Sequence, residues 1–284
     1  MIIAINYADS SFELQRSYNT KTAYSKGKVD KVIEYSPKDI DKEFYHKNRN
    51  IFNYERGAGL WLWKPYIIQK NLLQMNEGDY LFYCDSGTYY VNKVTKLIEV
   101  MEKEKVSIMP FEIPLIQRQW TKKETFSLIG CNLYDQNQIC CGYLLIKKCN
   151  EVMHLIEEWL HYMQDERCVS YKQFTNESNF NDFIEHREDQ SVFSLICRKN
   201  GLVTFRDPSE YGDRPYQYAW RKASSYKEYD LVIKKYTNSP YPRIVVSNRK
   251  VNPTTYKKKE FIRNILDKMG IWECYYKYIL MAKF

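Results

Sequence analysis

Asp79–Gly87 reads DYLFYCDSG, and this stretch decides the fold. A nearly unbroken apolar run, Tyr80–Cys84, stops on an acid, a serine and a glycine. A run of that kind is a strand covered on both faces, as in the middle of a parallel sheet. Asp85 then stands at the carboxyl end of the strand, where open α/β sheets take their ligands. A carboxylate placed there can hold Mg2+ or Mn2+ against phosphates, and Gly87 lets a ligand approach the backbone. The plainer reading is a turn that Asp85 opens with its own side chain.

Upstream of this strand, Arg56–Ile68 reads RGAGLWLWKPYII. Pro65 fits the first position of a helix, since its missing N–H costs nothing there. Ile68, Leu72 and Met75 give that helix an apolar stripe, and Gly78 ends it. Lys64 at its start, with the positive end of the helix, makes an anion site just before Asp85. The alternative is a solvated lysine beside packed Trp61 and Trp63. Further out, Met1–Tyr7 reads as the first strand, Ser11–Ser25 as a helix and KVDKVIEYS as the second strand. Downstream, Val91–Met101 is a helical stripe, VSIMPF a strand, and TKKE at Thr121–Glu124 a capping box opening a short helix. ICCGYLLIKK reads as one strand with a glycine at its centre, a mark of close approach by a ligand or backbone. Val152–Met163 and Glu188–Gly201 are helices, and LVTFR is a short strand. Alternating strands and helices predict an α/β fold with a mostly parallel central sheet. Residues 1–250 form the main domain in this reading, and 251–284 a helical C-terminal appendage.

The bulk numbers narrow the function. At 284 residues and 44% apolar, the chain can bury a large core. Its net charge of +8 favours anionic partners. The 26 tyrosines suit the walls of polar ligand sites. Eight cysteines with no CxxC pair read as free, mostly buried thiols, not as a zinc site. No signal peptide and no membrane-spanning run is found, so a cytoplasmic protein is expected. Nucleic acid is discounted, because the basic residues are not interleaved with aromatics outside the tail. That tail holds seven cations against three acids, a local charge of +4. Phe261, Ile262, Ile265, Leu266 and Met269 share one helical face there, and IWECYYKYILMAKF follows. This suits either an amphipathic contact with the inner face of an anionic membrane or a helix docked on the body.

A third motif, HREDQSVFSLI from His186, puts Glu188 and Asp189 in the first turn of a helix, where the dipole favours acids. Either acid can also face a cleft as a base, and His186 can be a metal ligand or simply lead into the helix.

In this order, GLWLWKPYII, GDYLFYCDSG and HREDQSVFSLI resemble glycosyltransferases of the GT-A fold, a Rossmann-like arrangement. More narrowly, they resemble bacterial glycosyltransferases of surface polysaccharide biosynthesis, over Met1–Arg206. The resemblance implies a nucleotide-diphosphate sugar, such as a UDP-sugar, as donor and a glycan or lipid-linked acceptor. It sets Tyr7, Ala8 and Asp9 beside the nucleoside, Arg16 or Lys64 at the diphosphate, and Ser86 and Gly87 in the donor turn. It makes Asp85 the metal-binding acid for Mn2+ or Mg2+, and Asp189 or Glu188 the acid on the acceptor side. One departure stands out: where the family carries a second acid, this chain has Gly87. Asp85-Ser86-Gly87-Thr88 also echoes haloacid-dehalogenase-type phosphatases and actin-like sugar kinases, each with a motif element missing. A further alternative is a catalytically degenerate GT-A domain that binds a partner or a membrane.

Overall fold

The computed structural model describes residues 1–220, 229–271 and 274. Its centre is a five-stranded sheet. The strands are β1 (Ile2–Tyr7), β2 (Lys31–Tyr35), β3 (Tyr80–Cys84), β5 (Ile108–Met109) and β8 (Tyr143–Lys147), in the order β2-β1-β3-β8-β5. β1 pairs in parallel with β2 and β3, whereas β8 runs antiparallel to both β3 and β5. Four of the five strands therefore run one way, and the fold is α/β with a mostly parallel sheet, as the sequence predicts. β4 (Thr88–Tyr90) pairs with β10 (Val245–Ser247), and β6 (Phe111–Ile116) with β7 (Asn137–Ile139) and β9 (Phe205–Arg206).

Side chains alternate across a strand, and here both faces are buried. Ile3, Ile5, Leu81, Tyr83, Leu144 and Ile146 join one core, under helices Trp63–Leu72, Asn150–Met163 and Glu188–Lys199. Ala4, Phe82, Cys84, Tyr143 and Leu145 join the other, under helix Thr95–Lys103. Layers on both sides explain why β3 carries no polar alternation.

Four local expectations are corrected. ICCGYLLIKK is not one strand: β7 and β8 lie in different sheets and the chain breaks at Cys140–Gly142. The helix bearing Pro65 starts at Trp63 and ends at Leu72, so Lys64 lies inside its first turn, while Gly78 belongs to the turn before β3. TKKE forms no capping box, because the Thr121 hydroxyl instead accepts from Gln138 (3.0 Å) and the helix begins at Lys123. VSIMPF is not one strand: β5 ends at Met109 and β6 begins at Phe111 in a different sheet.

Candidate active site

The carboxyl ends of β1 and β3 open on a cleft of about 600 Å³. Tyr7, Ala8 and Asp9 enter it from β1, and Asp85, Ser86 and Gly87 from β3. Lys64, Glu188 and Asp189 reach it from the two helices that cover the sheet. Of the residues that the resemblance sets at the site, Arg16 is the exception. Its guanidinium donates to the Tyr35 carbonyl (3.2 Å) and pairs with Glu34 (3.6 Å), at the edge strand β2 and outside the cleft lining.

The floor is a buried charge network. Lys64 Nζ donates to Asp189 Oδ2 (2.6 Å) and to the Cys141 carbonyl (2.9 Å), and lies 3.6 Å from Asp85 Oδ1. Burial alone would drive its proton off, but Asp189 and Asp85 outweigh burial and hold the ammonium charged. Lys64 is thus neither a solvated lysine nor a free anion hook; it is the counter-ion of the floor. The break between β7 and β8 serves this network, since it frees the Cys141 carbonyl for Lys64 and the Gly142 carbonyl for Asp85 N–H (2.8 Å).

Asp85 itself is set from three sides. The Tyr83 hydroxyl donates to Oδ1. Asn19 Nδ2 donates to the Thr88 carbonyl (2.8 Å) and the Asp85 carbonyl (3.3 Å), and is itself fixed by Asn6 (2.9 Å). The Ser86 hydroxyl donates to the Tyr7 carbonyl (2.6 Å), tying the ends of β1 and β3 together. Its hydroxyl is therefore a clasp between strands and not a phosphate donor.

Gly87 sits where a second acid would have to be. A Cβ there would lie 2.9 Å from the Arg249 Cα, and Arg249 N–H donates to the Gly87 carbonyl (2.7 Å). No side chain fits. Asp85 Oδ1 is occupied by Tyr83 and faced by Lys64, which leaves Oδ2 as one free protein oxygen. Among the described residues no group of three His, Cys, Asp or Glu is arranged around an ion. The donor set does not fit a metal held by protein ligands.

Glu188 differs from Asp189. Its carboxylate meets Arg56 Nε (2.7 Å), a partly exposed guanidinium. Burial pushes its pKa up to about 7, with Arg56 opposing and Asp189 adding to the rise. Its backbone is left-handed (φ 37°), a conformation that persists only where its surroundings enforce it. Burial also raises the Asp189 carboxyl, and Lys64 works against that rise. Asp189 is committed to Lys64, so Glu188 is the acid free to exchange a proton near neutrality. His186 points into the core instead. It is buried, accepts from Lys122 N–H (3.3 Å) and is held neutral by burial, its pKa near 3.

Several cleft residues had no signal in the sequence. Arg249 and Lys250 arrive with the loop after β10, and Tyr211 and Tyr218 come from a segment without periodicity. Arg56 precedes a left-handed turn over Gly57–Trp61, with φ of 63°, 50°, 93°, 52° and 60°. Its two glycines were the one legible hint. At the end of β1, Tyr7 stacks on Trp63 (3.8 Å, 12°).

No protein-family model matches the chain. No curated protein matches it in sequence. Solved structures similar in shape include a mouse xyloside xylosyltransferase, 11% identical over 87% of this chain and 97% of that one, TM-score 0.46. The galactosyltransferase LgtC, solved with donor and acceptor sugar analogs, is 14% identical over 87% and 86%, TM-score 0.46. The glycosyltransferase GlyE of Streptococcus pneumoniae is 14% identical over 87% and 54%, TM-score 0.39. Likeness this distant transfers no activity to the present chain.

Proposed function

We propose that the chain is a nucleotide-sugar-dependent glycosyltransferase of bacterial surface polysaccharide assembly. The observation that carries this is one cleft, at the carboxyl ends of β1 and β3, that joins a fixed Asp85 to Glu188 with a pKa near 7. The nucleoside of a UDP-sugar lies against Tyr7, Ala8 and Asp9. Asp85 Oδ2 accepts from a hydroxyl of the ligand, and Arg249 and Lys250 on the facing loop take the diphosphate. In the reaction the acceptor hydroxyl oxygen bonds to the anomeric carbon. The bond from that carbon to the diphosphate oxygen breaks, and its electron pair leaves with the diphosphate. Glu188 receives the hydroxyl proton, and the two cations stabilise the charge on the leaving group. A divalent ion carried in by the diphosphate would find Asp85 Oδ2 alone.

Residues 1–250 supply this cleft in the reading, and 251–284 form an appendage with a second task. On helix Pro253–Lys268, Phe261, Ile262 and Ile265 are exposed, beside Lys257, Lys258 and Lys259. We place this face on the anionic inner surface of the membrane, where a lipid-linked acceptor is met. No described helix is long and apolar enough to cross it.

The test is sugar release from UDP-glucose, UDP-galactose and their N-acetyl forms, with and without glycan acceptors. Asp85→Ala is expected to lower the rate at least about 100-fold with the fold intact. Glu188 must be ionised to act as base, so transfer rises as the pH passes about 7 and is flat above it. Glu188→Gln removes both the rate and that limb. Phosphate-ester hydrolysis or ATP turnover without sugar nucleotide would instead favour the phosphatase or kinase reading of Asp85–Thr88. A chain with no turnover at all would be the degenerate binding domain.

A further inference from the structure

A second cavity, of about 300 Å³, adjoins the cleft across a shared wall. Tyr211 and Tyr218 line both spaces, their rings 5.0 Å apart and tilted by 51°. The second cavity opens to solvent above a buried floor. Its anchor is Glu112 of β6, a buried carboxylate that accepts from Arg198 (2.7 Å) and Thr204 (2.8 Å) and pairs with Lys234 (2.7 Å). Tyr236 adds a third ring, and Val232 on the rim is exposed.

The chemistry of this cavity selects its ligand. Its inner charges are spent on one another or suppressed: Glu112 on Arg198 and Lys234, Arg206 on Asp213 (2.8 Å), and Asp207 buried with its carboxyl pKa raised by that burial, while Lys235 lies exposed to solvent. A strongly charged ligand gains little there. Three tyrosine rings offer flat amphipathic faces with a polar edge, and immobilised ionic groups offer directed hydrogen bonds. That pairing suits a neutral ring with an apolar face and a rim of hydroxyls. The volume suits a saccharide unit at the small end of ligand sites.

We propose that the cavity behind Tyr211 and Tyr218 is a subsite for a neutral sugar unit of the acceptor, one residue removed from the hydroxyl that reacts. This rests on the transferase reading of the neighbouring cleft. The two tyrosines then act as a divider: the reacting sugar lies on the Glu188 side, and the unit behind it fills the second cavity. The chain accordingly extends an existing glycan and discriminates against a single free monosaccharide.

The experiment is saturation-transfer NMR on the full chain with lactose, maltose and diacetylchitobiose, repeated with their monosaccharides. Val232→Trp fills the cavity from its rim at a position open to solvent. Ile233→Trp is the second variant, should the first fail to fold. Saturation transfer to a disaccharide, weaker to its monosaccharides and lost in the filled variant, is the expected result. No transfer to any of the three disaccharides, or transfer that survives filling, overturns the subsite. UDP titration of the same samples separates the two readings. Sugar binding lost on filling, in a chain that binds no UDP, removes the donor site and leaves the sugar subsite standing. UDP binding with filling-insensitive sugar contacts does the reverse.

Discussion

At the residue scale the site rests on Lys64. It is a buried cation between two acids, one buried and one half-exposed. Breaking a buried pair by removing one partner strands the other charge. Lys64→Met is therefore expected to cost about 3–5 kcal/mol, measured by urea unfolding. Asp189→Asn added to it should recover most of that loss, and strictly additive losses would mean the two are not coupled. Asp85, Asp189 and Lys64 were legible because each stands next to an unmistakable marker: the end of an apolar strand, the first turn of a helix, a proline. Their roles were less legible. Burial, not spacing, decides that Lys64 belongs to Asp189, and burial is a property of the packed chain. Arg16 shows the same limit, since a cation on the right helix can still turn towards the wrong edge of the sheet.

At the element scale the sheet was readable where both faces are buried and misread where the chain breaks a pattern. β1 and β3 follow from apolar runs. The β7–β8 break did not, because Cys140–Gly142 are as apolar as their flanks and the reason for the break is a pair of carbonyls given to Lys64 and Asp85. The left-handed turn over Gly57–Trp61 is the other irregular element. Ala58, Leu60 and Trp61 adopt there a backbone that costs non-glycine residues roughly 1–2 kcal/mol each. Such strain gathers at ligand sites, and this turn carries Arg56 to Glu188. Gly59 makes it feasible, at φ 93° with the Phe52 backbone 3.0 Å from where a Cβ would stand. Gly59→Ala is expected to destabilise the protein by about 2 kcal/mol in thermal or urea unfolding. A neutral result would show that the turn relaxes freely.

At the scale of the whole molecule, the cleft is closed by a part of the chain whose contribution the sequence conceals. Arg249 and Lys250 were unreadable because they enter from the loop that leads into the C-terminal helix, and Tyr211 and Tyr218 because they lie in irregular chain. That helix is fastened by Glu260, buried against Arg214 (2.5 Å) and Arg243 (3.0 Å). The docked-helix alternative thus describes one face, while Phe261, Ile265 and Met269 remain exposed on another. Of Ile271–Phe284, only residues 271 and 274 are among the described residues. Serine at positions 261, 265 and 269 is expected to weaken sedimentation with phosphatidylserine vesicles and leave binding to neutral vesicles unchanged; equal binding of native and substituted protein removes the membrane contact. The central claim is that the cleft holds a nucleoside diphosphate against Asp85. Calorimetric titration with UDP, GDP, CDP and ATP, each with and without Mn2+, tests it on native protein and on Asp85→Ala. UDP should bind the native chain even without the metal and lose at least about tenfold in affinity in the variant, some 1.4 kcal/mol. Binding of none of the four, or UDP binding that Asp85→Ala leaves unchanged, would contradict it.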